Sequence, residues 1–302
     1  MNRLDTIELE DKDTLERELD NLRTILSAVY AYPDSFSLQH VDIFGRSYPL
    51  VGALGGDHLI FVDFARRYDL DRRIAAAAAA GRHATAARLE ENRHRVGVLV
   101  ADVSGHSMTD ALLAAMLHQA FLVGVLYELE HHGEVTAALF DVLNTRFYKS
   151  SSVAKYVTMI YGEITEHGRF RFISAGHPRP LVYSAKYRCF VEIDRSRLIA
   201  VHPIGLFPTE DDIDRAVAEP PAAESPRSRV NEVKLMAPGD VLLLTTDGAW
   251  DQADGELIAR LEPVMRDVAH RSAREIVDAL HHELVRERPA EDDLTLVVIR
   301  RT

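Results

Sequence analysis

Apolar positions recur at two periods along this chain. Between residues 8 and 30, Leu15, Leu19, Leu22, Leu26 and Val29 stand four and three apart. This heptad-like seam predicts a helix of about five turns, ended by Tyr32-Pro33-Asp34. "LIFVDF" (59–64) reads as a strand, and residues 66–95 as an alanine-rich helical excursion interrupted at Gly81. "RVGVLVAD" (95–102) is a strand, followed by a helix to about Glu130 and another over about 134–148, with Val135, Leu139, Val142 and Leu143 on one face. The runs "YVTMIYGEI", "RFRFISA", "PLVYS" and "CFVEI", punctuated by Gly and Pro, predict strands of an antiparallel sheet. Residues 208–229 are polar and proline-rich and predict a mobile loop. "DVLLLTTDG" is a strand, two amphipathic helices occupy about 255–288, and "DDLTLVVIRR" is a closing strand. No repeat is evident.

Composition narrows the classes. With 302 residues, 47% of them apolar, the chain can bury a sizeable core. A net charge of −12 argues against nonspecific nucleic-acid binding. One cysteine, Cys189, excludes an intrachain disulfide, suits a reducing compartment, and reads as a core residue. The acidic N-terminus lacks a signal-peptide core, and no run approaches the ~20 apolar residues of a membrane span. These features predict a soluble, cytoplasmic protein that does not engage a membrane. Eight arginines between residues 66 and 95 form either a solvated helical face or a patch for an acidic partner.

The chemistry-bearing pattern is carboxylates at strand ends. Asp57 follows Gly55-Gly56 and precedes a strand, Asp102 and Asp247 end strands, and Asp292-Asp293 begin one. Aspartates beside core strands are seldom buried without a partner or a metal. Singly, each reads as a turn or cap residue. Together, converging strand ends would crowd like charges, which hard divalent cations such as Mg²⁺ or Mn²⁺ would offset. No Cys/His cluster suggests zinc. Ser107 with Asp110 three residues on is a helix-starting pattern, and His177-Pro178 reads as a turn with a hydrogen-bonded histidine. Trp250 reads as a packing residue.

The ordered stretches "GGD", "VADVSGHSMTDALLAAM", "FISAGHPRPLVY", "PIGLF", "LMAPGDVLLLTTDGAWD" and "EDDLTLVVIRR" resemble the motifs of bacterial PPM/PP2C-like serine/threonine phosphatases of the SpoIIE/RsbU type. The resemblance covers roughly residues 50–302, apart from the arginine-rich excursion and the proline-rich loop. It implies an α+β fold, a four-layer α-β-β-α sandwich of two antiparallel sheets flanked by helices, here with an N-terminal helix. It also implies two Mn²⁺ or Mg²⁺ ions per active site. Asp102 resembles the aspartate bridging both, with the Val103 carbonyl in one shell. Asp57 resembles the second ligand of the first ion, and Asp247 and Asp292 resemble ligands of the other. Asp293, where relatives often carry Asp or Asn, ranks below Asp292. In such a site Asp57 and Asp102 serve catalysis by holding a bridging hydroxide that attacks phosphoserine or phosphothreonine in line.

The chain departs from the pattern in several respects. Ser104 stands where eukaryotic members have a histidine, with His106 either its substitute or a turn residue. Ile60 replaces a second acidic residue, and no basic residue matches the phosphate-binding arginine of eukaryotic members. The resemblance suggests a phosphorylated STAS-domain anti-sigma-factor antagonist in a partner-switching circuit as substrate. A catalytically weak binding module and a two-metal hydrolase of small phosphoesters are the alternatives. The expected organisation is a regulatory or dimerising helical segment at 1–40, through which a homodimer would form, and a phosphatase domain at 41–302. That domain carries the excursion at about 66–95 and the mobile loop at about 208–229.

Overall fold

A computed structural model describes residues 35–50, 55–105, 108–150, 155–191, 193–194, 198–209, 228–234 and 237–302, with isolated positions between 14 and 33. The leucine seam of the predicted N-terminal helix, His106, Ser107 and most of the predicted mobile loop lie outside these residues.

The first sheet contains β1 (Val41–Tyr48), β6 (Leu181–Ser184), β7 (Cys189–Val191), β10 (Val241–Thr245) and β11 (Leu294–Arg301), in the order β1-β11-β10-β6-β7. The second contains β2 (Asp57–Asp63), β3 (Arg95–Val103), β4 (Val157–Thr165), β5 (Arg169–Ala175) and β8 (Ala200–Val201), in that order, with β9 (Asn231–Lys234) also on β5. All pairings are antiparallel except the short β5–β8 contact, which is parallel.

Side chains alternate faces along a strand, and this alternation builds four layers. On β3, Val96, Val98 and Val100 join Leu59, Phe61, Leu242, Leu244, Val297 and Ile299 between the sheets. Leu99, Ala101 and Val103 face the other way, beneath α4 (Met108–His131) and α5 (Ala138–Ser150). On β10 and β11, Leu243, Leu296 and Val298 face outward under α7 (Leu257–Val268) and α8 (Ala273–Leu284). This is the sandwich of two sheets flanked by helices that the motifs imply.

The arginine-rich segment forms α1 (Phe64–Arg67), α2 (Leu70–Ala79) and α3 (His83–Glu91), with Gly81 at φ +71° between the last two. It is packed on the domain rather than merely solvated. Leu70, Ala77 and Leu89 are buried in the layer under α4. Arg73 and Arg82 pair with Glu130 at the end of α4, and Arg88 pairs with Glu134. These arginines therefore find acidic partners within the same chain.

Other expectations are corrected. Val142 is 64% exposed on α5, whereas Leu139 and Leu143 are buried, because the helix presents a narrower face to the sheet than the spacing suggested. Cys189 is half-buried, since it begins an edge strand instead of a central one. Helix α4 meets the length and composition of a membrane-crossing segment over Thr109–His131, contrary to the expectation that no run approaches that length. One side of it, with Ala114, Leu117, Phe121, Val125 and Leu129, is buried on the second sheet, and a core helix passes the same test. Strand β1 gave no clear signal: "VDIFGRSY" places a glycine and an arginine where regular alternation would continue.

Candidate active site

The inter-sheet end of the sandwich gathers the acidic strand ends. Asp57, the first residue of β2, is the register partner of Asp102 on β3. By alternation both share the inter-sheet face of Phe61 and Val98. The first sheet reaches Asp57 through two hydroxyls. Thr246, just after β10, and Thr295, on β11, each donate to Asp57 Oδ2 at 2.7 Å. Thr246 Oγ1 in turn accepts the Thr295 amide at 3.0 Å. Asp247 is the first residue of the short helix α6 (Asp247–Gln252), two residues beyond the end of β10 rather than in the strand as expected.

Two glycines record how closely the segments approach. A Cβ on Gly56 would lie 2.3 Å from the Gly105 carbonyl oxygen and 2.8 Å from that of Val103. One on Gly248 would lie 2.0 Å from the Asp293 carbonyl oxygen. Neither site admits a side chain, so Gly56 meets the turn after Asp102, and Gly248 meets Asp293, backbone to backbone.

Asp293 and Asp292 differ in what they hold. The buried Asp293 carboxylate accepts the amides of Leu50 and Gly56, each at 2.6 Å, and fixes the double-glycine turn before Asp57. Asp292 Oδ1 accepts the Asp293 amide at 2.8 Å. Val103 is buried, and its carbonyl oxygen faces Gly56.

The electrostatics are those of like charges held together. Burial, then the charges of Asp247, Asp292 and Asp293, raise the Asp102 carboxyl well above the usual carboxylate range, and Asp102 and Asp247 share a hydrogen bond. Burial, Asp292 and Asp251 raise Asp247. Burial and Asp102 raise Asp57, against the two threonine hydroxyls that favour its charged form. Among the described residues, no three acidic, histidine or cysteine side chains already close as a metal shell. Asp57 is turned to the threonines and Asp293 to the amides. The donor chemistry nonetheless fits a hard divalent cation: all ligand candidates are oxygens, and their negative charges otherwise need protons to coexist.

Several supporting residues carried little sequence signal. Ser104 Oγ accepts the Tyr156 amide at 3.3 Å, and Lys155 donates to the Ser104 carbonyl while pairing with the buried Asp110 at 2.9 Å. This pins the turn after Asp102 to the start of α4, so Asp110 serves an ion pair at that turn. Ile60 is buried beneath α4, on the face opposite Asp57. His177 is buried, with Nδ1 3.0 Å from Thr158 Oγ1. Trp250 packs in the layer under α7 and α8. The hydroxyl in "TTDG" and the lone polar residue in "LTLVVI" are the signals by which Thr246 and Thr295 were detectable.

Known proteins are similar to this chain in sequence and in fold. The sequence model of the family described as Stage II sporulation protein E (SpoIIE) matches residues 92–302. Phosphoserine phosphatase RsbP of Bacillus subtilis is 31% identical over 100 residues, which is 30% of this chain and 22% of that protein. The SiaA-PP2C domain of Pseudomonas aeruginosa superposes with a TM-score of 0.60 at 18% identity, covering 96% of this chain and 98% of that one. The RsbU and RsbW domains of Rv1364c from Mycobacterium tuberculosis superpose with a TM-score of 0.60 at 18% identity, covering 90% of this chain and 64% of that one. At these identities the structures establish the fold.

Proposed function

This chain belongs to the Stage II sporulation protein E (SpoIIE) family, and from that premise we propose that it is a metal-dependent phosphoprotein phosphatase acting on phosphoserine or phosphothreonine. The observation that carries the reading is the cluster of Asp102, Asp247 and Asp292, whose carboxyls repel one another at a buried rim.

Asp57, Asp102, Asp247 and Asp292, with the Val103 carbonyl, would hold Mn²⁺ or Mg²⁺. Such ions, two per site, supply charge neutralisation for the phosphoryl group and activation of water at neutral pH. The chain's own residues do the rest. Thr246 and Thr295 keep the Asp57 carboxylate oriented and favour its ionised form. Asp293 holds the double-glycine turn so that backbone approaches the rim without a side chain in the way. Lys155 and Asp110 hold the Ser104 turn and, through it, the Val103 carbonyl. His106 remains the candidate proton donor to the leaving serine oxygen. Cys189, on an edge strand of the first sheet, takes no part.

The substrate class follows the family resemblance: a phosphorylated STAS-domain anti-sigma-factor antagonist in a partner-switching circuit, in the cytoplasm. Residues 1–40 form the regulatory or dimerising segment and 41–302 the phosphatase domain. The test is Mn²⁺-dependent hydrolysis of p-nitrophenyl phosphate and of a phosphoserine peptide. We expect Asp102→Ala to abolish both while the protein stays folded. Full activity in that variant would sink the reading, and activity on the small ester alone would favour a small-phosphoester hydrolase.

A further inference from the structure

Arg179 lies between the turn at His177 and strand β6. Its Nη1 is buried, yet among the described residues the side chain has neither a hydrogen bond nor an ion pair. Leaving such a donor unmet is costly, and a guanidinium is suited to a carboxylate or a phosphate.

Arg179 lines a cleft of ≈ 230 Å³ whose other walls are apolar, with Leu181, Phe190, Val191, Ile193 and Ile258 among them. The cleft runs along β7, one of the two edge strands of the first sheet. Leu181 is the register partner of Leu243 on β10, so Arg179 lies two residues from that pair towards the end where Asp247 sits, ~7 Å of extended chain. Leu181 and Ile258 belong to the layer outside the first sheet, whereas Asp57 and Asp102 face between the sheets. Arg179 therefore lies towards the Asp247 end of the first sheet, next to residues of its outer layer.

Resting on the phosphatase reading above, we propose that this cleft is a substrate-docking subsite. It takes an acidic side chain flanked by apolar residues, with its carboxylate on Arg179, within about four residues of the phosphoserine along an extended segment. The apolar walls fit a polypeptide better than a free anion. The edge strand gives an extended segment a backbone to lie beside.

The probes are two synthetic phosphoserine peptides, one with glutamate and leucine three residues from the phosphoserine and one with glutamine replacing the glutamate. We expect the enzyme to show about a tenfold lower KM for the glutamate peptide, the size of one charge-assisted contact. Arg179→Gln should erase that difference, leaving kcat and p-nitrophenyl phosphate turnover unchanged. Arg179→Lys should keep part of it, and Arg179→Glu should prefer a lysine peptide. A preference that survives Arg179→Gln overturns the proposal, as does the absence of any preference in the unmodified enzyme. Trp250, the single tryptophan, packs in the same layer as Phe190 and Ile258, so its fluorescence reports binding of the unphosphorylated glutamate peptide. Saturable binding lost in Arg179→Gln supports the cleft even if no phosphoester is hydrolysed, an outcome that would sink the phosphatase reading alone. No saturable response overturns the cleft.

Discussion

Arg95 opens β3 and Asp102 lies near its other end, ~23 Å away, and each sits within a cluster of ionisable groups. At the first end the signs alternate. Arg95 pairs with Glu91 and lies 3.5 Å from Glu163, whose other carboxylate oxygen accepts the Tyr161 hydroxyl at 3.0 Å. Glu134, between Arg95, Arg88 and Arg171, extends the set. At the second end the signs are the same, and the carboxyls respond by holding protons more tightly. One end carries its counter-ions in the sequence, so its charges serve the fold. At the other the carboxyls repel one another, and like-charged groups perturbed in this way mark a candidate functional site.

Opposite substitutions should break this comparison if it is wrong. Arg95→Met strands the buried Glu163 carboxylate and should cost on the order of 3–5 kcal/mol in urea unfolding. Asp102→Asn removes a repelling charge, so the metal-free protein should be at least as stable as the unmodified one. A clear loss of stability there would mean that the acidic rim is structural. Adding Mn²⁺ should stabilise the unmodified protein by about 2.7 kcal/mol at a hundredfold excess over its dissociation constant. Asp102→Asn should lose most of that gain, read as a shift in thermal midpoint.

A titration sharpens the contrast with a third kind of buried group. Burial lowers the His177 pKa from 6.5 to about 3, so the ring is neutral in the folded protein. Between those values the unfolded chain binds the extra proton, and stability should fall as pH drops through that window. His177→Asn should show a shallower loss between pH 6 and pH 4 in urea midpoints (a range within that window). An unchanged slope would assign the acid sensitivity elsewhere. The smallest effect is expected from Thr295→Val, which removes one of the two hydroxyls on Asp57. Calorimetry should find Mn²⁺ bound about tenfold more weakly, the usual scale for an outer partner of a ligand.

The acidic rim was legible in the sequence because its residues interrupt strongly apolar runs. Asp102 ends "VLVAD" and Asp57 begins "DHLIFVD", and alternation then decides that both face the same layer. The bracing of the rim was harder to read. Thr246 and Thr295 are 49 residues apart and meet only because β10 and β11 pair. Lys155 finds Ser104 and Asp110 by tertiary contact alone. The excursion between β2 and β3 was legible as helix from its alanines. Its attachment to the domain was not, because that depends on Glu130 and Glu134 at the far end of another helix. Val142 and Cys189 show the same limit: periodicity gives a face, but the neighbouring element decides how wide that face is.

Strand β11 lies between β1 and β10, and its register joins Val41 to Arg301. On a ribosome adding ~5–20 residues per second, the partner of β1 arrives roughly 12–50 s after β1 itself. Throughout that interval the edge of β1 has no mate in its own sheet, and Asp57 lacks the Thr295 hydroxyl. The edge of nascent β1 therefore stays open to foreign strands until β11 has been made, and the Asp57 carboxylate gains its second hydroxyl only then.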